Sequence, residues 1–188
     1  MALLFERLTD TGKAEELTQL LHKAYVSNVD LGIHFAASTV TVEEVKHHIE
    51  TVPTFVIIID GEIAATTSVR LPWSSDPGPY GLPHLGWVST NTRYQQQGLA
   101  KKIINWVIEH YLKDELITPA VSLGTAVEHP WLTQSYEKLG FASTEIVRKY
   151  QDHQTRYLVK VLNNQQFDEI TNEDLKLLVS KAQRETSK

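Results

Sequence analysis

The chain has 188 residues, a formal net charge of −5, no cysteine and 41% hydrophobic residues. That length suits one domain, or one domain with a terminal appendage, around a sizeable core. The charge argues against a nucleic-acid partner and mildly favours an amine-bearing one; the absent thiols exclude disulfides, cysteine-ligated zinc and a cysteine acyl-enzyme.

Met1-Ala2-Leu3-Leu4-Phe5 leads into Glu6 and Arg7 with no basic start and no long apolar stretch, so no secretory signal is expected and the cytoplasm is the expected compartment. The longest apolar run, Phe55 to Ile59, is too short to cross a bilayer, and no membrane partner is expected. Leu3 to Leu8 reads as a strand. From Lys13 to about Asn28 the apolar residues Leu17, Leu20, Leu21, Ala24 and Tyr25 share one helical face. Val29 to Thr41 has no period. Thr41 caps a helix from Val42 to about Thr51, with Glu44 placed for a capping box. His47 and His48 are adjacent, face different sides of that helix and do not form a metal pair.

Thr54 to Ile59 and Ile63 to Leu71 are strands joined by Asp60-Gly61, a hairpin signal. Glu62 reads as a solvated turn residue. Pro72 to Pro83, with four prolines, two glycines and two serines, is a loop in which Trp73 and Tyr80 either line an acceptor pocket or cover the core. His84 to Thr90 is a strand whose alternation would put His84, Gly86, Val88 and Thr90 on one face. Leu99 to Leu112 is helical, Ala120 to Gly124 a strand, and Pro130 to Leu139 a helix. Ser143 to Tyr150 and Thr155 to Val161 are antiparallel strands that turn around Gln151-Asp152-His153. In the polar tail, Thr171 or Asn172 caps a last helix carrying Leu175, Leu178 and Val179, ahead of a frayed charged end. That stripe is too small for a domain, so the helix docks on its own core or on another subunit, and a homodimer is one expected partner. The predicted fold is α/β (α+β): a mixed, mainly antiparallel sheet of about seven strands with helices on both faces.

Between the strand from His84 and the helix from Leu99 lies Gln95-Gln96-Gln97-Gly98-Leu99-Ala100. A glycine turn opening a helix leaves backbone N–H groups free at a terminus that attracts phosphate. Neither a P-loop nor a G-x-G-x-x-G turn is present, so an amide-lined turn able to hold a pyrophosphate remains. The second informative stretch is Tyr136-Glu137-Lys138-Leu139-Gly140-Phe141, where Tyr136 puts a hydroxyl on an otherwise apolar stripe.

Those two segments, in that order, resemble the GNAT superfamily of N-acetyltransferases, the acyl-CoA N-acyltransferase fold. Its Q/R-x-x-G-x-G/A signature is matched by Gln95, Gly98 and Ala100, and its later helix end by Tyr136 to Phe141; the element order of residues 3–161 is also similar. The resemblance implies a domain over residues 1–162, with residues 163–188 as a C-terminal helical extension. It implies acetyl-CoA as co-substrate and a small-molecule or peptide amine as acceptor; with no H-x-x-x-H or His/carboxylate cluster in the sequence, no metal is expected. Backbone groups of Val88, Ser89 and Thr90 would meet the pantetheine arm. The amides of Gln96, Gln97, Gly98, Leu99 and Ala100 would hold the pyrophosphate, with the Gln95 side chain nearby. His129 stands where the family often has a pantetheine-contacting asparagine. Tyr136 would protonate the departing thiolate. An amine must lose a proton before attacking a thioester, to a side chain or an ordered water chain. Between Arg70 and Arg93 only Asp76, Tyr80 and His84 titrate; the resemblance implies a base at the position His84 occupies, the alternative being that His84 is a hydrogen-bonded strand-end histidine. The implied reaction is direct acetyl transfer to a primary amine. A catalytically inactive CoA-binding regulatory module of the same fold, and an unrelated domain binding another phosphate ligand, are the alternatives.

Overall fold

The β-branched run Thr54–Ile59 is buried along its whole length and forms β2, which antiparallel β1 (Leu4–Leu8) and β3 (Glu62–Arg70) flank. Such a run needs cover on both faces. Helices α1 (Ala14–Asp30) and α2 (Val42–Thr51) supply it on one side, where Leu17, Leu21, Val45 and Ile49 cluster with Val56, Ile58 and Ile63. On the other side α3 (Leu99–Val107) brings Trp106 against Phe5 and Phe55. The computed structural model describes residues 2–30, 32–148, 151 and 153–186. Met1, Leu31 of the irregular segment, Lys149 and Tyr150 at the expected strand end, Asp152 of the expected turn, and Ser187 and Lys188 of the expected frayed end lie outside them.

Local signals act as their chemistry dictates. Thr41 Oγ1 accepts from the Glu44 amide while the Glu44 carboxylate accepts from the Thr41 amide, the reciprocal capping box. The Thr41 amide foremost, and then the Thr41 hydroxyl, which donates to the same carboxylate at 2.9 Å, hold the Glu44 carboxyl below its usual pKa. Asp60 (φ 50°) and Gly61 (φ 85°) are both left-handed, the conformation of a two-residue hairpin turn.

Strand β4 (His84–Thr90) precedes α3, which continues through a π-helical stretch, Ile108–Lys113, to β5 (Ala120–Ala126). Then come α4 (Pro130–Glu137), β6 (Ala142–Val147) and β7 (Thr155–Val161). The seven strands are ordered β1-β2-β3-β4-β5-β7-β6 in one sheet. The ladders β1–β2, β2–β3, β5–β7 and β6–β7 are antiparallel; β4 and β5 are parallel, in register at His84↔Ser122 and Leu85↔Leu123. The tail holds two helices, not one: α5 (Asn164–Glu169), capped by Asn163, and α6 (Glu173–Thr186), capped by Asn172. Phe167, Leu175 and Val179 bury against Leu82, Ala120 and Val159, so the tail docks on its own chain. By internal packing the chain forms two units, Met1–Arg70 with Gly86–Tyr111, and Leu71–Leu85 with Leu112–Lys188.

The expected alternation along β4 does not hold. Trp87 has φ 50°, a left-handed residue in mid-strand that interrupts the pleat. His84 and Gly86 lie before this interruption and Val88 and Thr90 after it, so simple alternation does not carry one face through the whole strand.

Candidate active site

In the first unit Asn91 sets up the glycine turn. Its amide and Nδ2 donate to the Ala64 and Ile63 carbonyls at 2.9 and 3.2 Å, while its Oδ1 accepts from the Arg93 amide at 3.1 Å. Buried Tyr94 anchors the single turn Thr92–Tyr94, and its hydroxyl joins Arg93 on the Glu62 carboxylate. Glu62 is therefore exposed but ion-paired, not merely a solvated turn residue. Gln95 is extended, Gln96 turns left-handed (φ 62°), and Gly98 (φ 70°) caps α3 with no side-chain partner for the helix amides.

Leu99, Ile103, Ile104 and Val107 pin α3 to the core, whereas Gln95, Gln96, Gln97 and Gly98 are exposed and Ala100 half-exposed. A Cβ at Gly98 would meet nothing within 4 Å. The first-turn amides of α3 thus face open space, with exposed Lys101 and Lys102 beside them. A turn of this kind can receive an anion on backbone amides alone.

Val88, Ser89 and Thr90 belong to the same unit. Next to them the Trp87 ring stacks on His48 of α2, centroids 3.6 Å apart and 15° from parallel. Tyr25 of α1 packs edge-on to Phe35. Burial raises the Tyr25 pKa; the Ser89 side chain acts the other way.

His84, His129 and Tyr136 lie in the second unit. His84 is 5% exposed; its Nδ1 is 2.8 Å from Ser122 Oγ, and its ring meets Tyr157 edge-on. Gly78 passes so close that a Cβ there would stand 2.2 Å from the His84 Cβ. Tyr80, also left-handed (φ 69°), donates its hydroxyl to Glu145 at 2.6 Å; burial, then that carboxylate, raises its pKa. With exposed Trp73, Tyr80 lines a cleft of about 440 Å³ that also includes Leu82, Ile117, Thr118 and Asn172. Tyr136 is half-buried on α4, edge-on to Phe141.

His129 is the N-cap of α4 and 3% exposed, with neither ring nitrogen hydrogen-bonded; its ring meets Trp131 edge-on. Burial, foremost, holds its pKa below the usual histidine value, with His153 acting the same way and Glu128 opposing. A neutral imidazole with two unmet buried nitrogens is suited to a polar ligand.

Sequence reasoning missed the left-handed Trp87, the close approach of Gly78 to His84, and the Tyr80–Glu145 bond. Gly86 inside a strand pattern was the one signal for the first of these.

The Acetyltransferase (GNAT) family matches residues 15–141. The S-(2-succino)cysteine N-acetyltransferase of Bacillus subtilis (strain 168) is 37% identical over 158 residues, which are 84% of this chain and 96% of that one. The S-alkylcysteine N-acetyltransferase of the same organism is 32% identical over 136 residues, 72% of this chain and 76% of that one. Among solved structures, the yncA protein of Salmonella typhimurium with its cofactor acetyl-CoA has a TM-score of 0.67 at 15% identity, covering 87% of this chain and 96% of that one. A ribosomal-protein-alanine N-acetyltransferase from Brucella melitensis has a TM-score of 0.68 at 14% identity, covering 85% and 99%. This chain belongs to the GNAT acetyltransferase family and is an N-acetyltransferase.

Proposed function

We propose that this protein transfers the acetyl group of acetyl-CoA directly to the α-amine of an S-substituted cysteine. The observation that carries acetyl-CoA is the turn at Gln96–Ala100, where two left-handed residues and open space over Gly98 let a diphosphate approach bare backbone amides. His129 supports it, because its two buried nitrogens without partners fit a pantetheine amide. The acceptor class follows the names of the two curated relatives.

Acetyl-CoA supplies the acyl group as an activated thioester, and this chain's residues do the rest. Backbone groups of Val88, Ser89 and Thr90 orient the pantetheine arm, and the Gln95 side chain lies beside the diphosphate. The acceptor loses a proton, to His84 or to ordered water, and its nitrogen attacks the thioester carbon. The N–C bond forms, the C–S bond breaks, and Tyr136 protonates the thiolate. No cysteine exists to carry the acyl group in between.

Thiol release from acetyl-CoA with a panel of amines tests the reading. S-methylcysteine and S-(2-succino)cysteine should exceed polyamines, aminoglycosides and peptide N-termini in kcat/KM by at least about tenfold. A preference for any of the latter would overturn the acceptor class; no thiol release with any amine would overturn catalysis by this site.

A further inference from the structure

In the second unit a short hydrogen-bonded chain is buried throughout: His84 on β4, Ser122 opposite it on β5, and the Pro83 carbonyl. Ser122 is fully buried between Val121 and Leu123, and a hydroxyl there is destabilising unless its hydrogen bonds are met. Its Oγ stands 2.8 Å from His84 Nδ1 and donates to the Pro83 carbonyl at 3.4 Å; its backbone amide donates to the same carbonyl at 2.9 Å. A serine hydroxyl has one proton to donate. Given to Pro83, it leaves Oγ as an acceptor, so His84 Nδ1 carries hydrogen and both bonds form. Given to Nδ1, it leaves the hydroxyl with one bond in place of two. A buried site favours the arrangement with two bonds, and that arrangement puts the lone pair of the neutral imidazole on Nε2. The ring is held in this pose. Gly78 crosses so closely over the His84 Cβ that no side chain fits there, and the Tyr157 ring of β7 meets the imidazole edge-on at 6.0 Å. Tyr80 in turn packs edge-on against Tyr157, with its hydroxyl committed to Glu145 of β6.

We infer that Ser122 is a positioning residue: it fixes His84 as the Nδ1–H tautomer, so that Nε2 is the nitrogen able to take the acceptor's proton. The inference rests on the acetyl-transfer reading above, with His84 as the base. One N–H bond of the acceptor's ammonium breaks, and its proton joins the Nε2 lone pair to give imidazolium. Nδ1–H then donates from a charged ring to Ser122 Oγ, a stronger bond than the neutral ring makes. The freed amine lone pair forms the N–C bond, and the C–S bond breaks with its electrons on sulfur. The second proton lost by nitrogen replaces the one that Tyr136 gives to sulfur. The proton on Nε2 passes to solvent, so one proton is released per turnover. In the opposite tautomer Nε2 already bears hydrogen and the lone pair is turned to Ser122, so this transfer does not occur. Ser122 acts through His84, by the same logic that lets a third group orient the base of a catalytic pair.

The test joins nitrogen NMR of histidine-labelled protein with steady-state kinetics. Spectra are taken near about pH 8.5, well above the ordinary histidine pKa of about 6.5, and His84→Gln identifies the His84 signals. Wild type should show Nδ1 protonated and Nε2 unprotonated. Ser122→Ala should lose that preference and lower kcat with acetyl-CoA and S-methylcysteine at least about tenfold, while KM for acetyl-CoA stays within about twofold. Ser122→Thr keeps the hydroxyl and should restore both the tautomer and most of the rate. A wild-type His84 protonated on Nε2 overturns the inference, and that spectrum decides even where Ser122→Ala does not fold. A Ser122→Ala enzyme as fast as wild type also overturns it, and leaves acetyl transfer standing. Should His84→Gln match the wild-type rate, the base lies elsewhere and the inference falls, again with acetyl transfer intact. If wild type fails to acetylate S-methylcysteine, the reading beneath it falls and this inference falls with it.

Discussion

Replacing Gly98 with glutamate separates the fold from the phosphate cradle. The residue is left-handed at φ 70°, so any L side chain there costs about 1–2 kcal/mol of backbone strain. No atom lies within 4 Å of the added Cβ, so no clash inside the protein adds to that cost. A loss of about 2–4 °C in Tm per kcal/mol is expected for a chain of this size, and the mutant should fold. Binding is another matter. A carboxylate about 5 Å from two phosphate charges costs about 1.7 kcal/mol at the dielectric of water and about 6.6 kcal/mol at an effective value of about 20. Even the lower figure is more than a tenfold loss of affinity. Gly98→Ala carries the backbone strain without the charge and is the control. Calorimetric titration with acetyl-CoA should show Gly98→Glu at least about tenfold weaker than Gly98→Ala, with similar Tm values. Equal affinity in the two folded variants would refute the placement of the diphosphate on this turn.

Tyr136→Phe should lower kcat by roughly 10²–10⁴ with acetyl-CoA affinity nearly unchanged, measured by single-turnover kinetics; a wild-type chemical step would leave Tyr136 as a packing residue. Gly78→Ala drives a Cβ to within 2.2 Å of the His84 Cβ, and such overpacking costs about 1–3 kcal/mol. Its Tm should drop by at least about 2 °C, and a thermal scan that overlays wild type would contradict the close approach. His129, held below its usual pKa by burial, binds fewer protons folded than unfolded. The stability it confers is present above the unfolded value of about 6.5 and is lost as pH falls through the folded value. Wild-type Tm should therefore decline on acidification from about pH 7.5 more steeply than that of His129→Asn; parallel curves would show that His129 is not buried neutral.

Period and punctuation carried most of the fold. The apolar repeat from Leu99, the Asp60-Gly61 turn and the Thr41/Glu44 box are local signals, and each sits where its chemistry puts it. Element ends followed tertiary partners instead: β5 runs to Ala126 because it pairs with Thr155, two residues beyond the expected Gly124. Helix α5 is six residues long, too short for a helical period to emerge from Asn163 to Ile170. For the site, the turn was legible because glycine is needed where φ is positive. The left-handed Trp87 was not, since a bulky residue adopts that conformation only when its packing, here on His48 and the α1–α2 core, holds it there.

The most direct test of the central claim is a single-turnover reaction of the enzyme with acetyl-labelled CoA thioester and S-methylcysteine, followed by mass spectrometry of small molecules and intact protein. The account predicts that N-acetyl-S-methylcysteine and free CoA appear together at equal rates, with the protein mass unchanged throughout. Label accumulating on the protein before the product forms would contradict direct transfer, and CoA released with no acetylated α-amine would contradict the proposed acceptor.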